Sequence, residues 1–585
     1  MDLLQNLNEK QRQVVTTTEG PVLVLAGAGS GKTRSVIYRA AYLISVKQIN
    51  PGNILVVTFT NKAARELQIR LEQTLGINSR NLWIGTFHAV CARILRREQE
   101  FLPFNDRFSI YDDNDQKAVM KKIYKQLNVD RNKFNLNTVR NLISRQKNSL
   151  IKPEQFFEFQ EMNFYTEQVE KIYREYQKFL IRNNALDFDD LLLYTAYLLE
   201  DNKKIREKYS RQFQYVMIDE YQDTNYAQFK LVNLIAAAHQ NLCVVGDDDQ
   251  AIYSWRGADI RNILNFEEDY SKVVIIKLER NYRSPQIILK LANSLINKNQ
   301  ERHPKELWTE LETDHIPLLM SLENQDEEAT VIADRIIDLK KRNVSARDIV
   351  ILYRTNAQSR VFEKIFTRKG LRYQIVGGVN FYQRKEIKDI LAYLRILINP
   401  EDSESLLRII NFPARGIGEK TVSRLLRKAA DAGKSLVSFL VDGDYNSDSA
   451  GLSEKAESFA RLLRSWLKFK NRLNLVDLVK KMITDLELKD LYENNPDPQE
   501  NARWDNISEF ISATKEFIEA HQEITGSEPG LEEFLQNISL QTDLDNLDDT
   551  DEAVKLMTMH NAKGLEFDYV HIVGLEDGLL PHIRS

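Results

Sequence analysis

Residues 21–33 read PVLVLAGAGSGKT, and this stretch decides the fold. PVLVLA is a short apolar run that ends in glycines, and polar, helix-favouring sequence follows from Lys32 to about Leu43. Strand, tight loop and helix in that order form the repeating unit of a parallel sheet covered on both faces. Similar apolar runs recur at 54–58 (ILVVT), 215–218 (YVMI) and 242–246 (LCVVG), with helical sequence after the first two. A second α/β pattern starts near 273 with VVIIKL, continues at 349–353 (IVILY) and 373–377 (YQIVG), and resumes at 569–574 (YVHIVG). The expected fold class is therefore α/β, with two cores built on parallel sheets.

Each core carries a mainly helical insertion. Between about 109 and 185 the sequence turns rich in Lys, Arg, Gln and Asn at helical spacing, as in QKAVMKKIYKQL, and its basic residues read either as a phosphate-facing surface or, the more common case, as a solvated face. A second helical region spans roughly 382–548; it contains the loop DGDYNSDSAG at 442–451 and leaves through the acidic tract DLDNLDDTDE at 543–552. A chain of 585 residues is too long for one core. Its formal charge of −5 means that any nucleic-acid site must be a local basic groove on a mildly acidic body. Cys91 and Cys243 sit in apolar runs and read as buried small hydrophobes rather than metal ligands. The N-terminus lacks a basic region followed by a long apolar stretch, and no apolar run approaches the ~20 residues needed to cross a membrane. A cytoplasmic protein with no membrane partner is the expectation.

The loop at 26–33, AGAGSGKT, fits the phosphate-binding pattern except at its first position, where Ala26 replaces glycine. Ala28, Gly29, Ser30 and Gly31 would aim backbone N–H groups at phosphate oxygens, beside a helix N-terminus that favours anions. Lys32 would reach the β- and γ-phosphates, and the Thr33 hydroxyl would ligate Mg²⁺. Such a loop needs a carboxylate at the end of a neighbouring strand. YVMIDE at 215–220 supplies Asp219, to hold Mg²⁺ through its water shell, and Glu220, to orient or deprotonate the attacking water. Phosphoryl transfer is mainly positioning and charge neutralisation, so these pairings point to nucleoside triphosphate hydrolysis.

DEYQDTN at 219–225 and VVGDDDQAIYSWRGA at 244–258, together with AGAGSGKTR, resemble the UvrD/Rep/PcrA helicases of superfamily 1A. The resemblance runs from LNEKQRQ near the start to GLLPH near the end. It implies two RecA-like cores. Core 1A would occupy 1–108 and 186–279, interrupted by insertion 1B at 109–185. Core 2A would occupy 280–381 and 549–585, interrupted by insertion 2B at 382–548.

The same resemblance implies roles for individual residues. Gln11 would read adenine, Arg34 would contact the nucleotide, and Gln250 would sense the γ-phosphate. In LERNYRS (278–284), Tyr282 would stack on adenine and Arg283 would reach the γ-phosphate from across the cleft. Glu566 would lie near the ribose. DNA contacts would come from Phe59 in VTFTNKAA, Thr86 and His88 in GTFHA, and Phe188 in LDFDDL. Tyr253, Trp255 and Arg256 would add to them, with Arg354 and Asn356 in YRTNAQSR and His560 in VKLMTMHNAKGLEF. Aromatics stack on any base and so grip single strands without reading sequence. Asn561 stands where many family members have Ser. Gly416 and Gly418, in FPARGIGEKT, resemble a helix-hairpin-helix turn that meets duplex phosphates, although a tight helix–helix turn explains them equally well.

The resemblance thus implies a 3′→5′ ATP-dependent helicase or translocase of DNA repair or replication, using ATP and Mg²⁺. Its partners would be single-stranded DNA, single/double-strand junctions and repair or replication proteins. The family continues past GLLPH into a motif VI arginine. Losing one such arginine can lower the rate ~10³–10⁵-fold, so a chain truncated there would bind ATP and DNA but hydrolyse poorly. A translocase that strips proteins from DNA, a helicase–nuclease subunit of the RecB kind and an ATP-responsive DNA-binding module remain as rivals.

Overall fold

The computed structural model describes residues 3–76, 81–377, 381–442, 454–493, 498–540 and 552–581. The first part of the chain holds the strands β1 (Val22–Ala26), β2 (Ile54–Thr58) and β3 (Trp83–Thr86) of the first core, then β4 (Ser109–Tyr111) and β5 (Ala185–Asp187) on either side of the first insertion. β6 (Tyr215–Ile218), β7 (Leu242–Gly246) and β8 (Val274–Leu278) follow, then β9 (Ile349–Tyr353), β10 (Tyr373–Val376), β11 (Val554–Thr558) and β12 (Tyr569–Ile572). The first sheet has the order β3-β2-β6-β7-β1-β8 and every pairing in it is parallel. Every residue of β1, β2, β6 and β7 is buried, which explains their unbroken apolar runs.

This order positions the site. β6, β7 and β1 are adjacent, so the loops leaving their C-terminal ends converge on one edge. The chain crosses from β1 to β2 over β7 and β6, and the strand order reverses there. Ligands of open α/β sheets bind at such a reversal.

The second sheet, β10-β11-β9-β12, is also parallel. VVIIKL, whose period suggests the opening of the second α/β pattern but which the family-implied bounds keep in core 1A, is the edge strand β8 of the first sheet, paired along its length with β1. Periodicity marks a strand but not the sheet that receives it, and both sheets accept the same apolar pattern.

β4 and β5 form a two-stranded parallel pair at the points where the chain enters and leaves the first insertion. Its helices, including Asp113–Gln126, Leu136–Asn148 and Phe164–Arg182, enclose their own core around Val119, Met120, Val139 and Tyr173. The solvated basic face is overturned at one position. The Lys147 side chain is 0% exposed and its ammonium lies 2.7 Å from Asp187 and 2.8 Å from Asp190. Tyr176 donates a further hydrogen bond to Asp187 at 3.0 Å. Removing one partner of a buried ion pair leaves charge uncompensated, so Lys147→Met is expected to lower unfolding free energy by ~3 kcal/mol. Urea unfolding checks this, and a loss below ~1 kcal/mol would show the pair to be energetically neutral.

The second insertion has a separate core around Tyr393, Phe459, Trp466 and Phe510. It rests on the first through Lys388, which bridges Asp112 and Asp115, and through the Tyr111 hydroxyl on Asp402 at 2.7 Å. The 442–451 loop beyond Asp442 and the 543–552 tract before Glu552 lie outside the described residues.

Candidate nucleotide and nucleic-acid sites

The loop after β1 needs left-handed backbone at Gly29 (φ +67°) and Gly31 (φ +85°), a region that side chains rarely enter. Space is short as well. A Cβ on Gly29 would lie 2.7 Å from both the Arg283 Cβ and the Asn281 amide nitrogen, and one on Gly31 would lie 2.7 Å from the Gln11 amide nitrogen. Gly31 precedes the helix Lys32–Ser45, whose N-terminus receives no side-chain hydrogen bond from it. Backbone donors there remain available for an anion.

The carboxylates after β6 face this loop. Lys32 Nζ is 3.2 Å from Glu220 Oε2, and Thr33 Oγ1 donates to Asp219 Oδ2 at 3.3 Å. Glu220 occupies the left-handed region at φ 53°, a conformation that costs a non-glycine residue ~1–2 kcal/mol. Its carboxylate accepts from Gln222 Nε2 at 2.7 Å, and Gln222 Oε1 accepts from the Asp247 N–H at 2.9 Å. Burial opposes the Lys32 charge, but Glu220, Asp247 and Asp219 outweigh it and hold the lysine above its ordinary range. Burial likewise opposes ionisation of Glu220, and Lys32 and Lys563 outweigh it, so this carboxyl sits below its usual range. Asp219 is pushed up to about 6 by burial and by the neighbouring Glu220.

Gln250 sits after β7 on the same edge, where its amide donates to Asp247 Oδ2 at 2.5 Å. Gln11 is held by a reciprocal cap with Asn8 and donates to the Ser30 carbonyl at 3.2 Å. Asn8 in turn donates to the Tyr282 hydroxyl at 2.8 Å. Gln11, Ser30 and exposed Tyr282 therefore line one mouth of the loop. Arg34 donates to the Asn6 carbonyl at 2.9 Å and lies over Tyr38. Arg283 pairs with Glu566 at 2.7 Å, joining the segment after β8 to the segment after β11. Lys32, Glu220, Gln250, Arg283, Leu565 and Glu566 all line one open cleft between the two cores.

The aromatic residues gather on the same side of the first core. Phe59 and Tyr253 stack on one another at 5.4 Å and 15°. Tyr253 is 8% exposed whereas Trp255 is 65% exposed, so of these two the tryptophan offers the larger free face. Arg256 lies over the Trp255 ring at 4.7 Å. From the second core, His560 meets Trp255 edge-on at 6.3 Å, its carbonyl accepts from the Tyr253 hydroxyl at 3.0 Å, and its ring contacts Arg354. Burial, Arg354 and Arg256 all push the His560 pKa down, which keeps the ring neutral.

His88 packs edge-on against Phe188 at 5.7 Å, and burial pushes its pKa down to about 4. Thr86 is buried and its hydroxyl caps the helix Phe87–Arg97 by accepting from the Ala89 N–H at 3.3 Å. Asn356 donates to the Gly377 carbonyl at 3.1 Å. Gly416 (φ +66°) and Gly418, the residue capping the helix Glu419–Asp431, lie in the second insertion.

Several residues of the site escaped sequence reading. Asn281 donates to the Ala28 carbonyl at 2.6 Å, and the Tyr282 N–H donates to the Gly29 carbonyl at 2.9 Å, so the segment after β8 grips the phosphate loop from outside. Lys563 bridges the cores. Its ammonium donates to Asp223 and, at 2.7 Å, to the Gln250 carbonyl, and lies 5.0 Å from the Tyr253 ring. Asn281, Gln222 and Lys563 all stand inside the quoted motifs, but their partners are distant in sequence and no spacing announces them.

The UvrD/REP helicase N-terminal domain profile matches residues 7–271, and the UvrD-like helicase C-terminal domain profile matches residues 276–585. The protein named ATP-dependent DNA helicase PcrA of Bacillus subtilis (strain 168) is 44% identical over 592 residues, covering 100% of this chain and 79% of that protein. The proteins of the same name from Staphylococcus epidermidis and Staphylococcus aureus are each 42% identical over 584 residues, again covering 79% of their length. The phosphate loop, its facing carboxylates and the cleft between two parallel sheets thus lie within matched halves, and the chain belongs to the UvrD/Rep helicase family.

Proposed function

We propose that this chain is an ATP-dependent DNA helicase motor that moves 3′→5′ along single-stranded DNA and opens duplex at single/double-strand junctions. One observation carries the reading: the segment that places Gln250 beside the phosphate loop continues within a few residues into Tyr253, Trp255 and Arg256. Nucleotide chemistry and base stacking therefore share one stretch of backbone, and Lys563 of the second core contacts it at Gln250 and at Tyr253.

The residues fit a magnesium nucleotide. Thr33 and Asp219 would hold Mg²⁺, whose charge would neutralise phosphate oxygens. Lys32, kept cationic, meets the β- and γ-phosphates. Glu220, kept ionised, accepts a proton from the attacking water and stands within reach of Lys32. Gln222 orients the Glu220 carboxylate. Arg283, at the cleft rim, meets the γ-phosphate when the cores close, exchanging Glu566 for a stronger anion. Closing and opening move Arg354 and His560 against Trp255, so that the base grip alternates between cores. A DNA base-pair step is worth ~1.4 kcal/mol on average, and a short step per turnover is energetically reasonable.

Trp255→Ala removes the exposed stacking face. It is expected to weaken binding to a short oligo(dT) by ~5- to 150-fold, the equivalent of ~1–3 kcal/mol, and to leave ATP-analogue affinity unchanged. Fluorescence anisotropy measures both. Equal losses of DNA and nucleotide affinity would point to misfolding instead.

Strand displacement on a junction with a 3′ single-stranded tail, run beside steady-state ATP hydrolysis with and without single-stranded DNA, tests the function. Hydrolysis that DNA does not stimulate, with no strand displacement, would sink it.

A further inference from the structure

Next to the phosphate loop lies a cluster that the mechanism above leaves unused. Asp247, Asp248 and Asp249 place one carboxylate oxygen each within 4.8 Å of one another, the arrangement of a cation site. The cation is already supplied by the protein. Lys305 Nζ lies 2.9 Å from Asp247, 2.5 Å from Asp248 and 2.8 Å from Asp249, and the residue is only 7% exposed. Arg302 clasps Asp249 through two hydrogen bonds of 2.8 Å, and the His303 N–H donates to Asp248 at 2.6 Å.

Asp247 divides its two oxygens. Oδ1 takes Lys305 and Oδ2 takes the Gln250 amide. The orientation of Gln250 thus depends on a carboxylate whose other oxygen is fixed by Lys305. The same short segment reaches the phosphate loop. A Cβ on Gly27 would collide with Leu307 Cδ2 at 2.2 Å, and the Asn281 N–H donates to the Trp308 carbonyl at 2.8 Å, which places Asn281 against Ala28. Residues 302–308 form a strap with one end on the acidic turn and the other on the loop that cradles phosphate.

We propose that Lys305 is a positioning residue for phosphate sensing: it neutralises the 247–249 turn, holds Asp247 so that the Gln250 amide is aimed at the γ-phosphate, and through the strap ties that aim to the phosphate loop. The inference rests on the proposed ATP-driven motor. Without Lys305, Arg302 is the one cation among the described residues that still pairs directly with the three clustered carboxylates. Asp247 is then free to turn its charge toward Lys32 or to take the Gln250 amide away from phosphate. Nucleotide still binds through Lys32 and the loop, but its γ-phosphate no longer reports to the Tyr253–Arg256 end of the segment.

The test uses the full chain, a fluorescent non-hydrolysable ATP analogue and a dye-labelled oligo(dT). In the wild type, saturating analogue is expected to shift oligo(dT) affinity by at least ~5-fold, the low end of typical coupling between sites. In K305M, analogue affinity stays within ~3-fold of wild type while the shift collapses below ~2-fold. K305R restores at least half of the shift, a rescue that a packing role alone does not predict. If K305M does not fold by thermal melting, D248N/K305M, which removes one carboxylate with the ammonium, is expected to fold and to show the same collapse. A folded variant of either kind that keeps the wild-type shift overturns the inference and leaves the motor reading intact. A wild type that binds neither analogue nor oligo(dT) overturns the motor reading itself, and a wild type that binds both without any shift overturns the coupling role of Lys305.

Discussion

Lys32→Ala is expected to reduce DNA-stimulated ATP turnover by at least ~10³-fold, the scale at which removal of a single cation acts on phosphoryl transfer. The lysine is held by Glu220 at 3.2 Å and kept charged by three carboxylates despite its burial. Alanine removes that charge from a largely buried position, where a preorganised cation acts more strongly than it would in bulk solvent. Two secondary effects follow. Glu220 loses its first counterion and is left with Lys563, so its pKa rises toward the ordinary range. ATP affinity falls as well, because the lysine meets phosphates in the ground state and in the transition state alike. Steady-state hydrolysis across a range of ATP concentrations separates the two effects. A variant that recovers wild-type kcat at saturating ATP would show that Lys32 only binds nucleotide, and the assignment of transition-state charge to it would fail.

The parts of this site legible in sequence are those written in consecutive residues. AGAGSGKT between an apolar run and a helix needs only local backbone logic, and the acids of YVMIDE follow from a buried strand reaching its end. What sequence did not disclose depends on sheet order and on long-range pairs. VVIIKL has the right period for either core; the family-implied bounds and its register with β1, not its period, assign it to the first. Lys147 stands in a basic stretch that reads as solvated and no motif singles out Lys305, yet each is buried against Asp residues brought from elsewhere in the chain. A lysine's fate depends on whether carboxylates meet it in space, and spacing along one chain does not encode that. Tyr253 and Trp255 show the same limit at closer range. Both are aromatics of one segment, but Phe59 covers the first and leaves the second open.

Glu220→Gln is expected to lower kcat by ~10²–10⁴-fold while leaving ATP affinity equal or tighter, because it removes proton transfer and keeps shape. Glutamine is isosteric and can still accept the Gln222 hydrogen bond through its own carbonyl oxygen. The left-handed backbone at position 220 is strained for either side chain, so the substitution adds no new strain. Loss of one negative charge beside Lys32 leaves the lysine more available to phosphate, which favours binding. Single-turnover hydrolysis beside analogue binding reads both quantities. The pH dependence provides an independent check. Lys32 and Lys563 hold the Glu220 carboxyl below its usual range, so as a base it is ionised at neutral pH and is lost only as pH falls through a value below the ordinary 4.5. Wild-type turnover limited by this group should therefore stay level on the acid side down to that region. If Glu220→Gln turns ATP over at the wild-type rate, the water is activated by another group, and Asp219, raised by burial to about 6, is the carboxyl nearest to hand.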